Sequence, residues 1–156
     1  MYLHPARVTG ELIHTIATEP KIVKYLDLPI QHASDKILSL MLRRVSRAQI
    51  ESLINKIRRE IPKVALRTTL IVGFPGETEA DFTELASFVK KFKFERLGVF
   101  KYSREKGTPA AKLKQAVPDR VKQKRFDEVM SLQRRISRSR NQNWVFGTLL
   151  YGRPGN

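Results

Sequence analysis

The sequence predicts an α/β fold built on a parallel sheet, and three observations carry the prediction. Strand-like and helix-like segments alternate from Ile22 to Tyr102, the order that βαβ units produce. The most strand-like segment, Val64 to Val72, contains the unbroken apolar run Leu70-Ile71-Val72, as expected of a parallel strand covered on both faces. Length sets the third: the chain has 156 residues, and a closed eightfold barrel needs ~200 or more. About three strand–helix repeats fit, which gives a partial barrel or a small open sheet.

Taken in order, Thr9 to Thr18 reads as a short helix with Thr9 as N-cap and Leu12, Ile13 and Ile16 on one face. Ile22 to Ile30 holds the strand-like run Val23 to Leu28, stopped by Pro29. Ser34 opens a short helix carrying Ile37, Leu38 and Met41. Ser46 and Gln49 form a capping box for a longer helix, with Ile50, Leu53, Ile54, Ile57 and Ile61 at helical spacing and Pro62 as its stop. Val64 to Val72 follows as a strand, then the tight loop Gly73-Phe74-Pro75-Gly76-Glu77. Thr78 and Asp81 make a second capping box, and Phe82, Leu85, Ala86, Val89 and Phe92 form the stripe of the next helix. A third strand runs from Arg96 to Tyr102, followed by the polar loop Ser103 to Pro109.

The two ends read differently. Met1 to Pro5 resembles the tail of a strand, so the chain is expected to begin inside a βα unit. Pro118 suits the first position of a helix that runs to about Asn143, with Val121, Val129, Leu132 and Ile136 on its apolar side. Arg120, Lys122, Lys124, Arg125, Arg134, Arg135, Arg138 and Arg140 outweigh Asp119, Asp127 and Glu128 on this helix. Trp144 to Tyr151 reads as the first strand of a separate β-type module.

Composition narrows the function. The formal net charge is +15, an excess that favours RNA, a ribosome surface, phosphates or an acidic protein segment as partner. The basic helix is then either a solvated face or the contact surface. There are no cysteines, so disulfides, thiolate metal sites and iron–sulfur ligation by this chain are excluded. The start of the chain has no signal-peptide pattern, no apolar run approaches the ~20 residues of a membrane span, and the expected location is cytoplasmic.

In a parallel sheet, sites lie at the C-terminal ends of the strands, and three loops qualify: Pro29 to Asp35, Gly73 to Thr78, and Tyr102 to Pro109. In the first, Gln31, His32 and Ser34 offer neutral hydrogen-bonding groups, Ser34 also being a candidate N-cap. His32 has no second ligand at metal-binding spacing, so no metal site is expected. The second loop could present backbone amides to a ligand at a helix N-terminus, or be a turn and nothing more. It lacks the Lys-Ser/Thr ending of a P-loop. Arg67 and Thr69 share a strand face by alternation. A buried Arg67 needs an anion, either a structural carboxylate or one on a ligand. No nucleophile–histidine–acid set is evident, so no catalytic residue is assigned.

Taken in order, Tyr25 to Asp35 (Tyr-Leu-Asp-Leu-Pro-Ile-Gln-His-Ala-Ser-Asp), Arg67 to Thr78 (Arg-Thr-Thr-Leu-Ile-Val-Gly-Phe-Pro-Gly-Glu-Thr) and Tyr102 to Ala110 (Tyr-Ser-Arg-Glu-Lys-Gly-Thr-Pro-Ala) closely resemble the radical S-adenosylmethionine (SAM) methylthiotransferases. The match is closer to the RimO type, which modifies an aspartate of a small-subunit ribosomal protein, than to the tRNA-adenosine-modifying MiaB type, which usually has Gln-Ser-Gly-Ser in place of the first run. The resemblance covers Met1 to about Leu150.

The resemblance implies that residues 1–117 are the C-terminal part of a radical SAM (TIM-like) barrel, that 118–143 are a basic linker helix, and that 144–156 are the start of a TRAM domain. It implies SAM and two 4Fe–4S clusters as cofactors of a full-length parent, with the cluster ligands outside this chain, which alone would be inactive. Gln31 and Ser34 would face the cofactor. Ile71, Val72 and Gly73 match the adenine-contact strand, with one extra residue before Glu77. Arg67 or Thr69 would be a polar contact from that strand, the SAM carboxylate being the ligand anion open to Arg67, and Tyr102 would sit at the end of the last strand. The implied partner is a ribosomal protein or the ribosome surface, with RNA reached through the basic helix. The competing readings are a fragment of the tRNA-modifying enzyme and a non-catalytic basic module that docks on RNA or the ribosome.

Overall fold

The computed structural model describes residues 3–151, with side chains as far as residue 142. Its elements are α1 (Gly10–Thr18), β1 (Tyr25–Asp27), α2 (Asp35–Leu40), α3 (Arg47–Glu60), β2 (Ala65–Val72), α4 (Glu79–Phe92), β3 (Arg96–Lys101) and α5 (Asp119–Tyr151), with single 3-10 turns at Pro5–Arg7 and Pro109–Lys112. The strands form one parallel sheet in the order β1-β2-β3. The α/β architecture expected from the alternation is therefore the one observed.

The expected helix starts form for the reasons the sequence supplies. The Thr9 hydroxyl accepts from the Leu12 amide at 3.2 Å. Ser46 and Gln49 close a full capping box on α3, and Thr78 and Asp81 close another on α4. These bonds satisfy amides that the first helical turn leaves without partners. Apolar faces of α1, α3, α4 and α5 then pack on one side of β2, where Leu66, Leu70 and Val72 are fully buried. Thr68 is equally buried, and its hydroxyl is satisfied by donating to the Leu28 carbonyl at 2.9 Å.

Burial of β2 alternates strictly instead of covering both faces: Ala65, Arg67, Thr69 and Ile71 are only half-buried. Three strands are too few to wrap around their own inner face, so the Leu70-Ile71-Val72 run is buried at its ends and open at its centre. The register pairs Asp27 with Arg67, Thr69 with Gly98, and Ile71 with Phe100. Paired residues share a face, so these six line the open side, where Phe100 is 59% exposed.

At the N-terminal end, the Leu3 amide donates to the Asp27 carbonyl at 2.8 Å, so the segment expected to be a strand tail lies along β1. Met1 and Tyr2 are outside the described residues. At the other end, 144–151 continue α5 instead of forming the expected strand. A strand needs a neighbour for its backbone hydrogen bonds. A helix satisfies the same groups internally. Gly152 to Asn156 lie outside the described residues.

α5 packs against β3 and α4 and is tied down at both edges of the sheet. Near one edge Arg125 bonds Glu77. Near the other, Gln133 donates to the Phe94 carbonyl at 2.9 Å and Arg140 pairs with Glu95. Among the described residues no helix is long and apolar enough to cross a membrane.

Candidate functional site

The C-terminal edge of the sheet brings the first two predicted loops together and places Tyr102 beside them. Beyond β1 the chain leaves the ladder, then returns: the Gln31 amide donates to the Thr69 carbonyl at 2.9 Å, and the Ile71 amide donates to the Gln31 carbonyl at 2.8 Å. Gln31 makes this re-entry with φ of +70°, a left-handed conformation that costs a non-glycine residue energy and is concentrated at functional sites. Its side-chain Oε1 is buried without a hydrogen-bond partner.

On the other side of β2, the Tyr102 amide donates to the Val72 carbonyl at 2.9 Å. The ring of Tyr102 stands edge-on to Phe74, with centroids 5.1 Å apart, and its hydroxyl is also buried without a partner. Gly73, between Val72 and Phe74 in the chain, has φ of +71°. The stem of Lys122 lies against it, so a Cβ at this position would come within 2.2 Å of the Lys122 Cγ. The loop therefore needs glycine both for its backbone and for its neighbour.

The remaining predicted residues separate. Arg67, Thr69 and Ile71 are on the open face. Arg67 has found its anion within the sheet, pairing with Asp27 across the β1–β2 register. Val72 points the other way and is fully buried in the core. Ser34 occupies the N-cap position of α2 but makes no capping bond. Its hydroxyl instead donates to Asp81 at 2.7 Å.

Asp81 joins the two loops. It also accepts from Thr78 and from Lys36, the latter at 2.6 Å. Burial opposes its ionisation, but Lys36, the Thr78 hydroxyl and amide, and Ser34 together hold its carboxyl well below the usual carboxylate range.

A second buried cluster lies beneath the Gly73 loop: His32, Glu77 and Arg125. Glu77 accepts from the Gly73 amide at 2.9 Å and from Arg125 at 2.7 Å. His32 Nδ1 accepts from the Ser34 amide at 3.0 Å, leaving Nε2 to carry the proton 3.4 Å from Glu77. By sequence alone Glu77 reads as a loop residue and Arg125 as one of the cations of the basic helix. The available signal was spacing, since Arg125 falls on the apolar stripe with Val129, Leu132 and Ile136. Among the described residues no three His, Asp or Glu converge on a metal site.

Comparison with known proteins gives a consistent set of matches. Residues 2–89 match the family model described as the radical SAM superfamily. The chain is 54% identical over 145 residues to the ribosomal protein uS12 methylthiotransferase RimO of Geobacter sulfurreducens, covering 93% of this chain and 32% of that protein. It is 50% identical over 155 residues to the protein of the same name from Acetivibrio thermocellus, covering 97% and 34%. The chain thus spans about a third of the length of these curated relatives. Among solved structures, coproporphyrinogen III oxidase (HemN) from Escherichia coli superposes with a TM-score of 0.72 at 19% identity, covering 86% of this chain and 31% of that one, a likeness of fold.

Proposed function

The chain belongs to the radical SAM superfamily, and on that premise we propose that it supplies the later strands of a barrel that holds SAM in a methylthiotransferase acting on an aspartate of a small-subunit ribosomal protein. The site itself supports a ligand here. Gln31 Oε1 and Tyr102 Oη are buried without partners on opposite sides of the β2 end, a costly state that a polar ligand would relieve. The choice of substrate follows the relatives, uS12 methylthiotransferases that are 49% to 54% identical to this chain.

The residues present fit SAM in part. Ile71 on the open face, with the backbone of Gly73, offers an apolar surface to the adenine. Gln31, Thr69 and Tyr102 offer polar groups, and Arg67 is available only by sharing its bond to Asp27. Val72 is turned into the core, so its contribution is to the strand. Ser34, committed to Asp81, fixes the loops in place. When bound beside a reduced iron–sulfur cluster, SAM supplies the radical chemistry of the family. The chain itself has no cysteine and so no thiolate for a 4Fe–4S cluster. The cluster does not fit this chain, which is inactive by itself in this reading.

The exposed cations of α5, Arg120, Lys124, Arg134, Arg135 and Arg138 among the described side chains, favour an anionic ribosomal surface as the outer contact, with RNA as part of it. A cytoplasmic location accords with such a partner.

The reading is tested by calorimetric titration of SAM into this chain, and into the chain joined to the preceding part of the Geobacter sulfurreducens relative with its clusters reconstituted anaerobically. The joined protein is expected to bind SAM and to methylthiolate uS12. An intact, cluster-loaded joined protein that bound no SAM would overturn the proposal. Modification of tRNA instead of uS12 would transfer the assignment to the tRNA-modifying type.

A further inference from the structure

We infer that Arg125 is a positioning residue: through Glu77 it sets the Gly73 loop and makes α5 part of the wall of the site instead of a linker beyond it. That the loop serves SAM rests on the function proposed above; the positioning itself rests on the geometry.

Glu77 is the hub. Its side chain is fully buried, and one oxygen accepts from the Gly73 amide at 2.9 Å and the Phe74 amide at 3.4 Å. The other accepts from Arg125 at 2.7 Å, and Arg125 also donates to the Glu77 carbonyl at 3.3 Å. The guanidinium reaches Glu79 at 3.1 Å and lies 5.3 Å from the Phe82 ring centroid. On the far side, His32 Nε2 faces Glu77 at 3.4 Å, and His32 is the immediate neighbour of Gln31. One buried carboxylate therefore holds the β2–α4 loop, faces the β1–α2 loop and anchors α5. One helical turn earlier, Lys122 lies against Gly73 itself, so α5 meets the loop at two points on one face.

Packing alone does not account for Arg125. Its place on the apolar stripe of α5 would suit a hydrophobic side chain, and a buried ion pair is commonly no more stabilising than apolar residues of the same volume. What an apolar residue cannot do is orient the Glu77 carboxylate toward two backbone amides. The pair specifies loop geometry.

The test is amide hydrogen exchange on the full 156-residue chain, followed residue by residue. In Arg125→Met, exchange at Gly73 and Phe74 is expected to rise about tenfold or more while Thr68 and Leu70 in β2 keep their protection. Arg125→Lys, which retains a charge on Glu77, is expected to fall between. Unchanged protection at Gly73 and Phe74, or a rise shared equally by β2, would overturn the inference. Should Arg125→Met fail to fold, the double variant Glu77→Gln/Arg125→Met leaves no buried charge unpaired and keeps an acceptor for the Gly73 amide. Fast exchange there supports positioning, whereas wild-type protection shows that only charge compensation mattered. Titration of S-adenosylhomocysteine into the joined, cluster-reconstituted protein and its Arg125→Met form separates the two proposals. Affinity at least about tenfold weaker in Arg125→Met joins them, while no binding by the wild type, with the exchange effect intact, counts against the cofactor reading alone.

Discussion

The two faces of β2 are adjacent in sequence and opposite in character. Leu66, Thr68, Leu70 and Val72 are fully buried under helices, while Ala65, Arg67, Thr69 and Ile71 are half-exposed on the side that three strands cannot close. The closed face is where stability resides. The open face carries polar groups, a charged pair and a large exposed aromatic, which is the composition of a surface that receives something. Consecutive residues of one apolar run thus answer to different demands.

The largest test of this contrast is a pair of neighbouring truncations. Leu70→Ala removes a fully buried side chain and is expected to cost roughly 2–5 kcal/mol in urea denaturation. Ile71→Ala, one residue away on the open face, is expected to cost about 1 kcal/mol, because much of its surface is never removed from water. Equal losses would show that the face is covered after all.

The next effect concerns the loops above the closed face. Asp81→Asn weakens acceptors used by Lys36, Thr78 and Ser34 and is expected to cost about 1–3 kcal/mol at neutral pH. The folded carboxyl is held below its ordinary value of 3.8, so its contribution is fully present above that value and is lost as pH falls through the folded one. The difference between wild type and Asp81→Asn in urea denaturation should therefore narrow on going from pH 7 to pH 3. A constant difference would remove ionised Asp81 as its source.

On the open face, Arg67→Leu breaks the pair with Asp27. Arg67 is 37% exposed along its side chain, and solvent screens such a pair, so the expected cost is about 1 kcal/mol or less. A loss of 3 kcal/mol or more, the range typical of severed buried pairs, would place Arg67 in a closed environment.

The same contrast explains what could be read from the sequence. Capping residues and helical stripes act over three or four positions, so Thr9, the Ser46–Gln49 box and the Thr78–Asp81 box were legible and form as read. The succession of strands and helices and the three loop runs were legible too, and the parallel sheet brings Gln31, Gly73 and Tyr102 to one edge. Which face of β2 would stay open depends on how many strands surround it, a quantity absent from the local pattern of Leu70-Ile71-Val72. Ser34 sits where a cap belongs, yet its hydroxyl goes to Asp81, a partner 47 positions away. Arg125 was hidden among like charges because Glu77 lies 48 positions before it. At Trp144 to Tyr151 the strand-like composition points to a strand, but the segment is helical.

The smallest expected effect probes what the open face does when nothing else covers it. Phe100 is 59% exposed beside Ile71, so replacing it with serine removes little buried surface, and surface changes of this kind stay within about 0.5 kcal/mol. Its consequence should appear in association instead. A large aromatic on an uncovered sheet face promotes contact between chains, and Phe100→Ser should lower the apparent mass of concentrated samples in light scattering while leaving the melting temperature nearly unchanged. A large fall in melting temperature would mean that Phe100 packs within the fold. If both mass and melting temperature stayed the same, the open face would contribute nothing to association, and its exposed aromatic would be free to serve the site at the end of β2.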